Sequence, residues 1–322
     1  MEDTFGRKLS YIRVSVTDKC NLRCRYCMPE EGVPHKLHED ILRYEMMERV
    51  LAQCAALGIS RIRLTGGEPL VRKGIIGFIE RLNKIPGIEE INLTTNGVLL
   101  GQYAHDLKQA GIKNINISLD TLDADKFAYI TRGGDLKTVL DGIHKAYAEG
   151  FEKIKLNAVL MRGFNTDELP DFLELIRDKA LYLRFIELMP IGEAGNEKDQ
   201  YISAEEAMRS LPPLKEAHSE KGTGPARYYT IDGYKGYLGF INPVSNCFCG
   251  DCNRIRLTAD GKLMPCLHSN LEVDLKPFLD PPDDEAIRQA ILKTAMLKPQ
   301  RHELEKPEDK SKNERYMFQV GG

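Results

Sequence analysis

Three cysteines near the N-terminus are the first residues whose types and spacing suggest chemistry. Cys20, Cys24 and Cys27 (the first cysteine group) lie in VTDKCNLRCRYCMPEEG with the spacing C-x3-C-x2-C, and no fourth cysteine is close in sequence. Thiolates in so short a loop bind zinc or an iron–sulfur cluster. A structural zinc ion needs a fourth ligand, which His35 or His38 could supply. In a four-iron cluster, three cysteines leave one iron open to a ligand. The spacing by itself leaves both interpretations open.

A second set of thiols lies near the C-terminus, in NCFCGDCNRIRLTADGKLMPCL. Cys249, Cys252 and Cys266 (the second cysteine group) have the spacing C-x2-C-x13-C, and Cys247 and His268 are further candidate ligands. The stretch RIRLTADG predicts a strand and a turn, which would bring the last cysteine back toward the first two. Both a zinc site and an iron–sulfur site fit this pattern.

The composition of the chain excludes several function classes. Its 322 residues are 42% hydrophobic and 29% charged, which suits one large α/β domain or such a domain with a smaller companion. The formal charge of -3 argues against nucleic-acid binding, so a polyanionic ligand would need a local cluster of Arg and Lys. No run approaches the roughly 18 apolar residues of a membrane span. We therefore expect a cytoplasmic protein without membrane or nucleic-acid partners, whose reduced thiols bind metal.

Short β-rich runs alternate with amphipathic helical runs through most of the chain. Six stretches predict strands: LSYIRVSVT, RIRLTGG, EINLTTNG, NINISLD, KIKLNAVLM and LRFIELMP. This alternation predicts a parallel sheet, either a barrel-like (β/α) array or a doubly wound sheet. Both arrangements place ligands at the C-terminal ends of the strands, where polar residues gather in TDKC, TGGEP, TTNG, SLD and LMP.

The alternation stops at about residue 190, where Pro and Gly become frequent. Two Tyr-rich runs that follow, ARYYTID and YKGYLGFI, predict a β-hairpin. We therefore expect two domains, residues 1–228 and residues 229–322, with the second cysteine group in the smaller C-terminal one.

The first cysteine group resembles the signature of the radical S-adenosylmethionine superfamily, with Tyr26 just before the last cysteine. The GGEP at Gly66–Pro69 resembles that superfamily's site for the methionine amino group. The resemblance implies a [4Fe-4S] cluster whose open iron binds the amino and carboxylate groups of S-adenosylmethionine. It also implies a partial (β/α)6 TIM-type barrel with a smaller C-terminal domain.

The whole chain resembles the GTP 3′,8-cyclase family, lyases that catalyse the first step of molybdenum cofactor biosynthesis. The resemblance rests on C-x2-C-N-R-x-R-L-T-x-D-G with a last cysteine, and on RLTGGEPL, TTNG, SLD, LNAVLMRG, FIELMP and the terminal Gly-Gly. It implies a second [4Fe-4S] cluster, held by the second cysteine group, whose open iron binds guanine. Cys247 departs from the family pattern and is expected to be a spare thiol.

The same resemblance assigns individual residues to ligands. Positions near S-adenosylmethionine are Tyr26, Gly66, Gly67, Glu68, Ser118 and Met189. Positions that contact GTP, where Arg and Lys suit a polyanion, are Arg13, Arg63, Thr94, Lys155, Arg254, Ile255 and Arg256. The catalytic positions are Arg254, Arg256, Gly321 and Gly322. The two glycines end a tail that the family threads into its active site.

The implied reaction converts GTP to 3′,8-cyclo-7,8-dihydro-GTP, through a 5′-deoxyadenosyl radical that abstracts the C3′ hydrogen of the ribose. The implied partners are a reduced flavodoxin- or ferredoxin-like electron donor and the cyclic pyranopterin monophosphate synthase, which takes the product. The family also implies a possible homodimer.

Two other classes of protein remain open from sequence. A radical enzyme that modifies a peptide would usually carry more auxiliary-cluster ligands than the four cysteines here. A zinc-stabilised nucleic-acid-binding protein would carry a basic face, which the net charge and the GGEP at a strand end disfavour.

Overall fold

Six parallel strands form the centre of the fold. In the computed structural model, which describes residues 1–32, 36–196, 198–217, 224–302 and 315–320, these strands are β1 Tyr11–Ser15, β2 Arg61–Thr65, β3 Glu90–Thr95, β4 Asn114–Ser118, β5 Lys153–Leu160 and β6 Tyr182–Glu187. Each pairs in parallel with the next strand in the chain. The alternation of strand and helix patterns predicted parallel pairing, because parallel neighbours need a helical crossover between them. It left a barrel-like array and a doubly wound sheet open, and the observed order, in which each strand lies beside the next, is that of the barrel-like array.

Helices connect these strands and bury their apolar faces in the same core as the strands. They are α1 Tyr44–Ala56, α2 Ile75–Leu82, α3 Leu100–Gln109, α4 Ala124–Thr131, α5 Leu136–Ala148 and α6 Leu169–Arg177. The sequence analysis missed α4. Its start signal is Asp123, whose side chain accepts hydrogen bonds from the backbone N–H groups of Asp125 and Lys126, as an N-terminal cap does.

The C-terminal strands extend the same sheet at both of its edges. They are β7 Lys215–Glu216, β8 Arg227–Thr230, β9 Tyr237–Ile241, β10 Arg254–Leu257, β11 Lys262–Met264 and β12 Val273–Asp274. β9 pairs in parallel with β6, and β10 pairs in parallel with β1. The sheet order is β12-β11-β10-β1-β2-β3-β4-β5-β6-β9-β8-β7, so the strands of the described residues do not close into a full barrel. This confirms the partial barrel, and the antiparallel pair β8–β9 confirms the predicted hairpin.

The division after residue 228 stays a prediction. It falls inside β8, and the strands on both sides of it belong to one sheet.

In the described part of the C-terminal half, the further helices are α7 Ala204–Met208, α8 Asp284–Met296 and α9 Met317–Val320. α8 packs on α1, where Arg49 Nε donates to Asp284 Oδ1 at 2.6 Å. In α9, the side chains of Phe318 and Val320 are buried. No described helix is both long enough and apolar enough to span a lipid bilayer.

Candidate active site

One cavity of about 760 Å³ lies inside the curved sheet, and both cysteine groups line it. The first cysteine group follows the C-terminal end of β1. Cys252 lies just before β10, which runs parallel to β1. The two groups therefore lie at opposite ends of these strands. The five residues of β1, at about 3.3 Å per residue, put them on the order of 15 Å apart along the strands.

The first cysteine group is held in its loop by α4. The loop turns tightly, since the N–H groups of Cys27 and Met28 both donate to the carbonyl of Cys24, at 2.9 and 3.0 Å. Arg132, which ends α4 in the left-handed region at φ 56°, donates from Nη1 to the carbonyls of Arg23 and Met28 at 2.9 and 2.8 Å. The helix that the sequence analysis missed therefore positions the proposed metal ligands.

The two glycines of GGEP pack against the start of the same loop. A Cβ on Gly67 would lie 2.3 Å from the carbonyl oxygen of Lys19, and one on Gly66 would lie 2.6 Å from that of Thr17. The Gly67 N–H donates to the Thr17 carbonyl at 2.8 Å. Glycine is required here because backbone meets backbone. The close approach is therefore to the cysteine loop, and the assignment of Gly66 and Gly67 to S-adenosylmethionine stays a prediction.

Glu68 joins the ends of β2 and β3. Its carboxylate accepts hydrogen bonds from Thr95 Oγ1 at 2.8 Å and from the N–H groups of Asn96 and Leu70 at 2.7 and 3.0 Å. Burial raises the pKa of Glu68 to about 7, although these hydrogen bonds oppose the shift. A bound ammonium group would favour the ionised carboxylate.

Asp120 is a second buried carboxylate beside the first cysteine group, and the sequence analysis did not name it. Tyr26 Oη donates to its Oδ2 at 2.8 Å, and the Val159 N–H donates to its Oδ1 at 2.9 Å. Burial raises the pKa of Asp120 to about 6. Its signal was present in the motif SLD, of which only Ser118 was singled out.

The sulfur atoms of the first cysteine group suit a cluster better than a single ion. Burial raises the pKa of Cys20 to about 11 and that of Cys27 to about 12, and it raises the pKa of Cys24 well above its ordinary value. Bound cations would be needed to hold them as thiolates. Among the described residues, the three sulfur atoms do not all lie within 4.8 Å of one another, whereas sulfurs on one zinc ion lie about 3.8 Å apart. His35 lies outside the described residues, and the side chain of His38 is not described.

Arginines form a row across three neighbouring strands between the two cysteine groups. Arg13 of β1 is in register with Arg63 of β2 and with Arg256 of β10. Two residues earlier on β1, and so nearer the second cysteine group, Tyr11 is in register with Arg61 of β2 and Arg254 of β10. All of these residues line the cavity. Side chains two positions apart share a face of a strand, so the predicted R-x-R pairs do point to one side.

Lys155 and Arg184 add positive charge on the opposite part of the sheet. Both line the cavity, and Arg184 Nε donates to Asn157 Oδ1 at 2.8 Å. Burial, together with the charges of Arg184 and Arg63, lowers the pKa of Lys155 to about 7. So many cations in one cavity repel one another, and an anionic ligand would relieve the repulsion.

The backbone of the second cysteine group is tied to distant segments. Lys298, which is 3% exposed, donates from Nζ to the carbonyls of Arg254 and Pro265 at 2.7 and 2.9 Å. Arg7 Nη1 donates to the carbonyl of Cys249 at 2.7 Å. The sequence analysis missed these residues and Arg184. Only Arg184 had a signal, as a charged residue inside the predicted strand LRFIELMP.

The C-terminal tail, Arg315–Val320, covers part of the cavity. Met317 and Phe318 line it. The Phe318 N–H donates to the Cys27 sulfur, and Arg256 Nη1 donates to the carbonyl of Val320 at 2.8 Å. The tail therefore contacts the first cysteine group and β10 together.

Most residues that the resemblance assigned to ligands line this cavity: Arg13, Tyr26, Arg63, Gly66, Gly67, Glu68, Thr94, Ser118, Lys155, Met189, Arg254, Arg256 and both cysteine groups. Ile255 does not line it, because its side chain is fully buried in the hydrophobic core behind β10. Gly321 and Gly322 lie outside the described residues.

Comparison with protein families gives two matches that together cover most of the chain. Residues 14–176 match the model of the radical SAM superfamily, and residues 181–304 match the model described as Molybdenum Cofactor Synthesis C.

Individual relatives match over their full length. A protein named GTP 3′,8-cyclase from Peptoclostridium acidaminophilum is 49% identical over 99% of this chain and 98% of its own. One of the same name from Moorella thermoacetica is 50% identical over 100% of both chains. Among solved structures, Streptococcus suis SuiB bound to precursor peptide SuiA has a TM-score of 0.56 at 14% identity, covering 88% of this chain and 67% of that one. At that identity the likeness concerns the fold alone.

Proposed function

Since this chain belongs to the GTP 3′,8-cyclase family of the radical SAM superfamily, we propose that it carries out the family's reaction in the cavity between its two cysteine groups. The protein is an enzyme of the first step of molybdenum cofactor biosynthesis. One observation carries the assignment of the site: two three-cysteine groups line the opposite ends of one cavity, and a row of arginines lies between them.

Each cysteine group would hold a [4Fe-4S] cluster with one open iron. When bound, the first cluster, with one electron from the proposed donor, would cleave S-adenosylmethionine to supply the 5′-deoxyadenosyl radical that removes the C3′ hydrogen of GTP, and the second cluster would bind guanine. The protein's share of the reaction is to bind, orient and shield the reactants.

Glu68 and Asp120 are suited to the methionine and ribose groups of S-adenosylmethionine. Both are buried carboxylates beside the first cysteine group. A buried ammonium needs such a partner, because desolvation of an unpaired charge is costly. Ser118 and Met189 line the same region and complete the proposed site.

The cationic part of the cavity is suited to the triphosphate. Arg13, Arg63 and Arg256 present guanidinium groups in one row, and such forks bind phosphate oxygens in pairs. Lys155 adds an ammonium group from β5. With guanine at the second cysteine group, the ribose would lie toward the first, in a position where a radical reaches only one C–H bond.

Four further points stay predictions. They are the domain division at residues 228 and 229, the electron donor of flavodoxin or ferredoxin type, the transfer of product to the cyclic pyranopterin monophosphate synthase, and the homodimer. A cytoplasmic location also stays a prediction, supported by the need of six ligand cysteines for reduced thiols.

The experiment that tests this function uses GTP deuterated at C3′. The anaerobically reconstituted protein is given S-adenosylmethionine, dithionite and the labelled GTP, and 5′-deoxyadenosine is analysed by mass spectrometry. Deuterium in 5′-deoxyadenosine is expected with the C3′ label and not with a C2′ label. Formation of 5′-deoxyadenosine without deuterium from either substrate would contradict the abstraction site.

A further inference from the structure

Cys247, the thiol that departs from the family pattern, lies beside a histidine far away in sequence. Among the described residues, Cys247, Cys249 and His302 bring one ligand atom each within 4.8 Å of one another. All three are half-buried. We propose that these residues form a site for a single divalent metal ion of the zinc class, distinct from the second cluster and competing with it for Cys249.

The spacing of the ligand atoms fits one ion. With Zn–S near 2.3 Å and Zn–N near 2.0 Å, tetrahedral ligand atoms lie about 3.5–3.8 Å apart. The ligand atoms of these residues lie within 4.8 Å of one another, so shortening their separations by about 1 Å would give that spacing. The second cysteine group does not form so compact a set within the described residues, as expected for thiols that surround a larger cluster.

The hydrogen bonding of His302 prepares it as a ligand. Its Nε2 lies 2.9 Å from the carbonyl oxygen of Pro243. A carbonyl only accepts, so Nε2 carries a proton, and in the neutral ring Nδ1 is then the nitrogen that can bind a metal ion. Metal-binding histidines are commonly held in this way by a backbone carbonyl on the other ring nitrogen.

A second histidine packs against this site and supplies a candidate fourth ligand. The ring of His268 lies 4.9 Å from that of His302, edge to face. Its Nδ1 is buried without a hydrogen-bond partner among the described residues. A buried nitrogen with no partner is costly unless something binds it.

Two occupants would compete for Cys249. A single ion on Cys247, Cys249 and His302 removes one thiolate from the three that the second cluster needs. Metal in this site would therefore block assembly of that cluster. The competition rests on the proposed function, whereas the single-ion site does not.

The test uses Co²⁺ as a spectroscopic probe of the full-length, metal-free chain. Cys20, Cys24 and Cys27 are first replaced by serine. Co²⁺ bound by thiols then reports on the region of Cys247 and the second cysteine group. We expect one bound Co²⁺ with sulfur-to-cobalt charge transfer and tetrahedral d–d bands. The further changes Cys247→Ser and His302→Ala should each lower Co²⁺ affinity at least about tenfold, the lower end of the effect of outer-shell changes. The matched change Cys266→Ser should leave it unchanged.

Three results would overturn the proposal. They are the absence of Co²⁺ binding, loss of binding in Cys266→Ser but not in Cys247→Ser, and unchanged spectra in His302→Ala. Circular dichroism of each variant separates loss of a ligand from loss of folding.

The competition is measured in the chain with all its cysteines. Zn²⁺ added before reconstitution should reduce the iron bound, and Cys247→Ser should restore it. Equal iron with and without Zn²⁺ would contradict the competition. The outcome is independent of deuterium transfer from GTP, so failure of this inference and failure of the proposed function are distinguishable.

Discussion

At the scale of single residues, the pKa of Lys155 depends on the residues around it. It lies among arginines in a buried part of the cavity, which lowers its pKa from 10.5 to about 7. Without a ligand, Lys155 would be neutral in about half of the molecules at pH 7 and in more of them at higher pH. A triphosphate would favour the ammonium form, so binding would take up a proton.

We therefore predict that GTP affinity falls as the pH rises from about 7 toward 10. The sign follows because the free protein loses the Lys155 proton in this range and must regain it to bind. Lys155→Arg, which stays charged, should bind GTP with a flatter pH profile. Isothermal titration calorimetry in buffers of different ionisation enthalpy measures the proton uptake. Identical profiles for wild type and Lys155→Arg would assign the pH dependence to GTP itself.

Gly67 is a second residue at which a substitution should have a large effect, because it packs against the backbone of the cysteine loop. In Gly67→Ala the added Cβ would lie 2.3 Å from the Lys19 carbonyl oxygen. We expect a loss of about 1–3 kcal/mol in the free energy of unfolding, the usual cost of overpacking, together with weaker iron uptake by the first cysteine group. Chemical denaturation and iron analysis measure the two effects.

The control for this prediction is Gly77→Ala in α2. A Cβ there has ordinary space, with the nearest atom 3.6 Å away, and alanine favours a helix by about 1 kcal/mol. The two substitutions should change stability in opposite directions. If Gly67→Ala left the free energy of unfolding unchanged, the cysteine loop would be able to move away from the added Cβ without loss of stability.

At the scale of elements, α4 and the C-terminal tail decide how the first cysteine group is held. α4 supports the loop from one side through Arg132, and α9 contacts Cys27 from another. Neither element is close in sequence to the loop that it supports. The tail is anchored by Arg315, whose guanidinium lies 3.1 Å from Asp260 and also pairs with Glu272.

We predict that Arg315→Ala frees the tail. Amide hydrogen exchange at Phe318–Val320 should become at least about tenfold faster, since a hydrogen bond to a charged group contributes about 1.5–3 kcal/mol. The matched control is Lys262→Ala, which removes a nearby ion pair with Asp274 that does not involve the tail. Exchange rates of the tail that rise equally in both variants would show that Arg315 is not its anchor.

At the scale of the whole molecule, the sheet keeps the two cysteine groups, which we propose to bind clusters, apart. They lie at opposite ends of parallel strands, on the order of 15 Å from each other. Sites at that separation without shared ligands behave almost independently.

We therefore predict that Cys24→Ser and Cys252→Ser each remove about half of the bound iron, and that the double variant removes nearly all of it. Iron analysis and Mössbauer spectroscopy of the reconstituted chains measure this. Loss of all iron in either single variant would show that the two sites assemble together.

The family of this protein and the strand pattern at the centre of its fold follow from its sequence. The spacing of the thiols, the GGEP at a strand end and the alternation of strand and helix patterns are all local, and they predicted the six parallel strands and, through a resemblance, the family. Most of the residues that this resemblance assigned to ligands line the cavity, although they form a minority of its lining. What only the tertiary structure decided depends on contacts between distant residues. The parallel pairing of β10 with β1 aligns Arg256 with Arg13 and separates the two cysteine groups. The contact of Arg132 with the cysteine loop and the position of His302 near Cys249 arise in the same way. Residue spacing reports what lies nearby along the chain, whereas strand order and register bring distant residues together.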